Sequence, residues 1–424
     1  MQLGPRTDQV SELAARAARK LAAASRRLEL SDVTAAAALL QRAASMLGPD
    51  DPYRVECLLN LAAQRIELGE VEDARQALRL AAGAADPAQA VLAEVLMCRL
   101  KTITAEGRAE DNERIVREAA RRFHEWGDDR GLAQAYLVLG DLAAVRGHVS
   151  RSAKLLELAL SHGEAAGDAG CVARARSLFG VTLLFGPAPA EEVIASLDQM
   201  VASSGNDPRV RAEAEQVTCV MHAMCGRFGQ AQAIGAEARQ HLTEVGLGLF
   251  LANLAQSTGH VAELAGDLDA AEREYQRSCD DLQALGESSY LSTVAGLHAR
   301  LLARRGRPME ALTAVELARR HGSPDDVATQ SLVRQAEGLL AAAAGQTDLA
   351  RAAVADAIQR EPEDEAPDSV GEAYLTAADV EKILGNTAAE RDYLAAAQPL
   401  FESKGNVVRA RQVASRLRDL PADG

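Results

Sequence analysis

The chain has 424 residues, a formal net charge of −15, 48% hydrophobic residues and only 3% aromatics. Alanine and leucine dominate and β-branched runs are scarce, so little here builds a sheet and much builds helix; the expected class is all-α. The acidic balance, with no basic stripe carrying interleaved aromatics, excludes nucleic acid as an ordinary partner.

The N-terminal segment MQLGPRTDQVSELAARAARK carries charges where a signal peptide has its apolar core. No uncharged apolar run reaches membrane-spanning length, so a cytoplasmic protein without a membrane partner is expected. Arg6, Arg16, Arg19, Lys20, Arg26 and Arg27 make this end locally basic, which reads as a solvated face. A degenerate first hairpin spans 8–47 and is alanine-rich on several faces (Ala14, Ala15, Ala17, Ala18, Ala22), where a terminal unit should be polar outward; an upstream domain covering it would explain that. Six cysteines, Cys57, Cys98, Cys171, Cys219, Cys225 and Cys279, form no CxxC pair and suit reduced thiols. Arginine outnumbers lysine 41 to 5, a GC-rich bacterial coding bias.

From residue 55 to about 405 the chain repeats. Gly69, Gly107, Gly147, Gly186, Gly226, Gly266, Gly306, Gly345 and Gly385 follow one another at intervals of 38 to 40, the signature of a solenoid. Each glycine ends one amphipathic helix and a second begins within a few residues. Small residues recur five positions past the glycine (Ala74, Ser152, Ala231, Ala271, Ala311, Ala350), twelve past it (Ala81, Ala119, Ala159, Ala238, Ser278, Ala318) and seven before it (Ala62, Gly140, Cys219, Gly259, Ala299, Gly338). Small side chains in fixed register on consecutive helices let backbones approach closely.

The unit YLVLGDLAAVRGHVSRSAKLLELAL, with Tyr136, Leu139, Gly140, Gly147 and Ala159, resembles a tetratricopeptide repeat. The resemblance implies one α-solenoid superhelix over 1–424, of about ten helical hairpins with a capping helix at 406–419. Units near 40 residues, entered by GDDRGLAQA (127–135) and GDAGCVARA (167–175), are similar to the carboxy-terminal arms of bacterial cyclase-linked and LuxR-type transcription-regulating ATPases.

Departures from the pattern come next. Around Gly186 stand Pro187 and Pro189, then Glu191 and Asp198 where small apolar residues belong, so a loosened or re-angled joint is expected at 186–200. Asn112 and Glu390 also miss their slots. CVMHAMC (219–225) has three metal-competent side chains, but on a helix 219, 222 and 225 drift by roughly 60° each and the two sulfurs diverge by about 120°. Cys219 also fills the small-residue slot, so core packing is expected and no metal. EPEDEAPD (361–368) lacks the spaced loop and glycine of a calcium site and reads as a solvated linker. Arg409, Arg411, Arg416 and Arg418 make the last helix basic, again read as a solvated face.

No GxxxxGK[ST], HExxH or GxSxG motif occurs, so neither a cofactor nor catalysis is expected; ATPase or cyclase activity would belong to an upstream domain. The resemblance implies that the first helix of each hairpin lines the concave surface. Counting back from the glycines puts Lys101, Asp141, Arg176, Leu183, Gln216, Val220, Met224, Asn253, Gln256, His260 and Arg300 on that wall. An apolar floor edged by amides and cations suits a protein or peptide, either as an extended segment or as a helix. The leading expectation is a non-catalytic binding scaffold, the sensor or regulatory arm of a bacterial signalling or transcription-control system. The alternatives are an enzyme or biosynthetic accessory with its pocket inside the superhelix, and a solenoid that self-assembles into oligomers through its exposed ends.

Overall fold

The structure, a computed structural model, describes residues 4–421 apart from 50, 206, 361 and 363, with side chains from residue 9 onward. Arg6, Glu361 and Glu363 therefore lie outside the side chains described. Among the described residues the regular structure is helical throughout, with no strand.

The helices pair along the chain. Hairpins are formed by α1 (Gly4–Leu28) with α2 (Val33–Ser45), α3 (Pro52–Leu68) with α4 (Val71–Ala81), α5 (Pro87–Ile103) with α6 (Ala109–Trp126), and α7 (Asp129–Val145) with α8 (Val149–Ala166). Next come α9 (Ala169–Phe185) with α10 (Ala190–Ser203), α11 (Pro208–Met224) with α12 (Phe228–Val245), and α13 (Gly248–Ala265) with α14 (Leu268–Leu285). The series closes with α15 (Ser289–Arg304) and α16 (Pro308–His321), α17 (Val327–Ala343) and α18 (Thr347–Arg360), α19 (Pro367–Ile383) and α20 (Thr387–Lys404), capped by α21 (Val407–Asp419). This is the α-solenoid of ten hairpins and a capping helix that the tetratricopeptide resemblance implies.

Local chemistry sets the helix ends. Asp51, Asp86, Asp128, Asp168 and Asp207 each accept a backbone N–H in the first turn of an odd-numbered helix. The repeating glycines other than Gly186 close those helices in the left-handed region, as at Gly266 with φ 82°. A second series, Gly127, Gly167, Gly246, Gly286 and Gly405, does the same for even-numbered helices.

The predicted small residues are buried where the two helices of a hairpin meet, with Ala74, Ala159, Ala271 and Ala299 all at 0% exposure. The residue seven before the repeat glycine faces the one nine past it, and the sizes compensate. Gly140 faces Leu156, Gly259 faces Tyr275 and Gly338 faces Val354, while the larger Cys219 faces Gly235. A Cβ on Gly259 would stand 2.5 Å from Tyr275 Cε1. Cys219 is thus part of the wall: burial pushes its thiol up to about 12, and its sulfur donates to the Gln216 carbonyl at 3.1 Å.

The solenoid is wound tightly enough to touch itself. α3 meets α13, α5 meets α15, α9 meets α19 and α11 meets α21, always ten helices apart, so one superhelical gyre takes five hairpins. Loops of one gyre stack on the next: Ser288 N donates to Ile103 O at 3.0 Å, Ala109 N to Asp325 Oδ2 at 3.0 Å and Ser150 N to Glu365 Oε2 at 2.6 Å.

The irregular fifth hairpin sits at this junction. Gly186 is extended (φ −66°, ψ 173°) instead of left-handed, and α9 and α10 touch less than the helices of any other hairpin. The packing slots fall one residue early: Ala190, Val193 and Leu197 are buried while Glu191 and Asp198 are exposed. Lys404, at 0% exposure, reaches in from the second gyre and donates from Nζ to the carbonyls of Leu183 (2.9 Å) and Gly186 (2.7 Å), capping α9.

Two expectations of solvation need correction. The end of the acidic stretch is not a solvated linker, because Ala366, Pro367 and Asp368 are buried at the start of α19. The last helix is not simply a basic outer face. Arg409 is 5% exposed and pairs with Glu263 and Glu372, and Arg416 binds Asp379 at 2.6 Å and Glu390 at 2.8 Å. Arg16, Arg19, Lys20, Arg26 and Arg27 of the first helix are exposed, as its polar face requires.

Candidate ligand-binding lumen

The odd-numbered helices face the superhelix axis, and α9 to α19 wrap a cavity of about 780 Å³. One side is apolar, made by Leu184 and Phe185 of α9, Val220 and Met224 of α11, Leu297 of α15 and Leu332 of α17. The other is polar, made by Gln256 and His260 of α13, Gln335 of α17, and Asp368, Ser369 and Glu372 of α19. These positions fall on one helical face because they recur about 2, 6, 10, 13 and 17 residues before the repeat glycine.

A buried charge network forms the floor. Arg300, at 2% exposure, lies 3.5 Å from Glu263, 3.4 Å from Glu372 and 3.3 Å from Gln335 Oε1. Arg409 of α21 binds Glu263 at 3.1 Å and also binds Glu372, and Arg304 reaches Glu263 at 3.2 Å. Burial drives both carboxyls up, but Arg300, Arg409 and Arg304 outweigh it and hold Glu263 and Glu372 below the usual carboxylate range. Tyr275 Oη donates to Glu263 Oε2 at 3.2 Å. At the rim, burial raises Asp368 against the pull of His260, and Asn406 Nδ2 donates to it at 2.8 Å. Burial lowers Lys404 to about 8.

The residues predicted for the concave wall therefore divide. Val220, Met224, Gln256, His260 and Arg300 meet around this one cavity, although the guanidinium of Arg300 is committed to carboxylates of its own chain. Gln216 and Asn253 lie on the same helices, each 8% exposed and outside the cavity, and Asn253 Oδ1 has no partner. Leu183 is half-buried against the core around Val220. Lys101 and Asp141 are half-buried on α5 and α7 in the first gyre, away from this cavity. Arg176 does not line the lumen: it sits a half-turn from Arg174, faces α8 and binds Glu164 at 3.2 Å.

Sequence reasoning missed Leu332, Gln335, Asp368 and Glu372. The same counting from Gly345 and Gly385 reaches them, but the gyre that brings α17 and α19 round to α9 is not written in any one repeat.

No family model and no curated protein matches the chain. Solved structures do. A Rap protein complexed with competence and sporulation factor is 11% identical, with 87% of this chain and 98% of that one covered at a TM-score of 0.52. The Cut9–Hcn1 hetero-tetramer of APC/C is 11% identical, with 92% and 72% covered at a TM-score of 0.57. The fold is a tetratricopeptide-like helical-repeat solenoid. No helix among the described residues is long and apolar enough to cross a membrane.

Proposed function

We propose that the chain is a non-catalytic scaffold that takes up a short extended peptide in the cavity walled by α9 to α19. The observation that carries this reading is a cavity with one apolar wall and one amide- and carboxyl-bearing wall, enclosed by a full gyre. Apolar side chains of a ligand are desolvated on one side, while Gln256 and Gln335 offer both donors and acceptors to its backbone. An extended segment exposes its backbone amides to Gln256 and Gln335, whereas a helix has satisfied most of its own, so an extended ligand is favoured. The Rap protein of similar fold is complexed with competence and sporulation factor, which supports ligand capture on such a scaffold.

In this reading the protein is a sensor or regulatory arm in a bacterial signalling or transcription-control system. Its output passes to another domain or polypeptide, as in the regulatory ATPases whose arms the sequence resembles.

The test is enrichment of a low-mass peptide pool from a bacterial lysate on the immobilised protein, read by mass spectrometry. Ser369→Trp and Gln256→Trp, at half-buried cavity positions, should abolish enrichment with the melting temperature shifted by no more than a few degrees. Equal enrichment by wild type and both variants would remove the proposal.

A further inference from the structure

The first gyre has a lumen of its own, a cavity of about 530 Å³ bounded by α3, α5, α7, α9 and α11. Its charges can be compared with those of the second gyre, helix against helix ten places on. Glu67 of α3 corresponds to Glu263 of α13, Arg99 of α5 to Arg300 of α15, and Arg209 of α11 to Arg409 of α21. The correspondence inverts at one place. α19 supplies the carboxylate Glu372, whereas α9 supplies a third guanidinium, Arg174.

The first gyre thus gathers Arg99, Arg174 and Arg209 around Glu67 and Glu213, and the three guanidiniums are unequally served. Arg99 pairs with Glu67, and Arg209 bridges Glu67 (2.6 Å) and Glu213 (3.2 Å). Arg174, 4% exposed and backed by the Phe250 ring at 4.8 Å, has the Tyr290 side chain beside it and Glu67 at 3.7 Å, beyond hydrogen-bond range. Its Nε and Nη1 have no acceptor, and Arg99 Nε beside it has none either. Buried guanidinium donors without partners are costly and uncommon.

Other carboxyls lie nearby, but none accepts from Arg174 Nε or Nη1. Burial pushes Glu213 up to about 7 against Arg209 and Arg174, and it raises Asp141 against Arg174 and Arg99. Glu29 at the cavity rim is pushed up to about 7 by burial and by Asp168, while Asp168 itself caps α9 through Cys171 N and takes Gln134 Nε2 at 3.3 Å.

We propose that the lumen of the first gyre is a second site, which takes a small oxyanion, a carboxylate or phosphate group, against Arg174 with Arg99 beside it. The planar guanidinium fork presents paired donors that match either group. The site is separate from the cavity of the second gyre and stands independently of what binds there.

Isothermal titration of the full chain with inorganic phosphate, and separately with succinate, tests this. One or both should bind at one per chain. Arg174→Gln should weaken binding about tenfold or more, the loss expected for charge-assisted hydrogen bonds. Ala63→Met, which narrows the same cavity without removing an arginine, should weaken it equally and decides the matter if Arg174→Gln fails to fold; Ser369→Trp in the other gyre should change nothing. Phosphate binding alone identifies a phosphoryl ligand, and succinate binding alone a carboxylate. No binding of either anion at millimolar concentration, or binding indifferent to Ala63→Met, overturns the proposal.

Discussion

Gly259→Ala is the sharpest probe of how the hairpins are built. In an exposed helix interior this change stabilises by about 1 kcal/mol, since alanine is the better helix former. Here the added Cβ stands 2.5 Å from Tyr275 Cε1 and 2.7 Å from Cδ1, against an optimal carbon–carbon separation of about 3.5–4.0 Å. The ring is at 0% exposure and its hydroxyl is tied to Glu263, so it has no free direction in which to move. Overpacking of this kind costs about 1–3 kcal/mol, leaving a net destabilisation of up to about 2 kcal/mol. Gly229→Ala, in α12 with nothing within 4 Å of the added Cβ, should move the other way by a fraction of a kcal/mol. Thermal melts followed by circular dichroism measure both. Adding Tyr275→Leu should make Gly259→Ala less harmful in a double-mutant cycle. If Gly259→Ala stabilises the protein, or if the cycle shows no coupling, size compensation between paired helices is not what holds them.

Arg409→Met leaves Glu263 and Glu372 buried with fewer cations; breaking such a pair costs about 3–5 kcal/mol, and urea denaturation should show it. Lys404→Met uncaps α9 where its own hairpin is weakest, so limited proteolysis should cut faster near 186–190 while the remaining chain resists. Glu287, at 0% exposure, has a carboxyl that burial raises to about 8 against the pull of the backbone N–H groups of Tyr290, Leu291 and Ser289. Its folded value exceeds its unfolded one of about 4.5, so its stabilising contribution is full below that value and is lost as pH rises towards 8. Glu287→Gln should flatten the fall in melting temperature between about pH 5 and 8, with an effect of roughly a few kcal/mol at most. Cys225 alone among the six cysteines is half-buried and the other five are buried, so a thiol reagent should label one cysteine per chain before unfolding and six after.

Much of the architecture is legible in the primary structure because its causes are local. A glycine every 38 to 40 residues, an aspartate that caps the start of the helix the glycine ends, and small residues five and twelve positions past the glycine act within one hairpin, so each repeat carries its own instructions. Val220, Met224, Gln256 and His260 are found by the same local counting. Arg176 is placed wrongly by it because the Pro187 and Pro189 turn shifts the fifth unit by one residue, and on a helix one residue is 100°.

What the tertiary structure alone decided is how the hairpins close on themselves. The small rotation from one repeat to the next accumulates over five hairpins into a gyre, and no single repeat states its size. That closure seats Arg409 on Glu263 and puts Lys404 beneath α9. It joins α19 to α9 around one cavity, and it leaves Arg174 buried with unmet donors in another. Burial and charge pairing at the axis depend on side chains more than a hundred residues apart, and these meet only once the whole superhelix is wound.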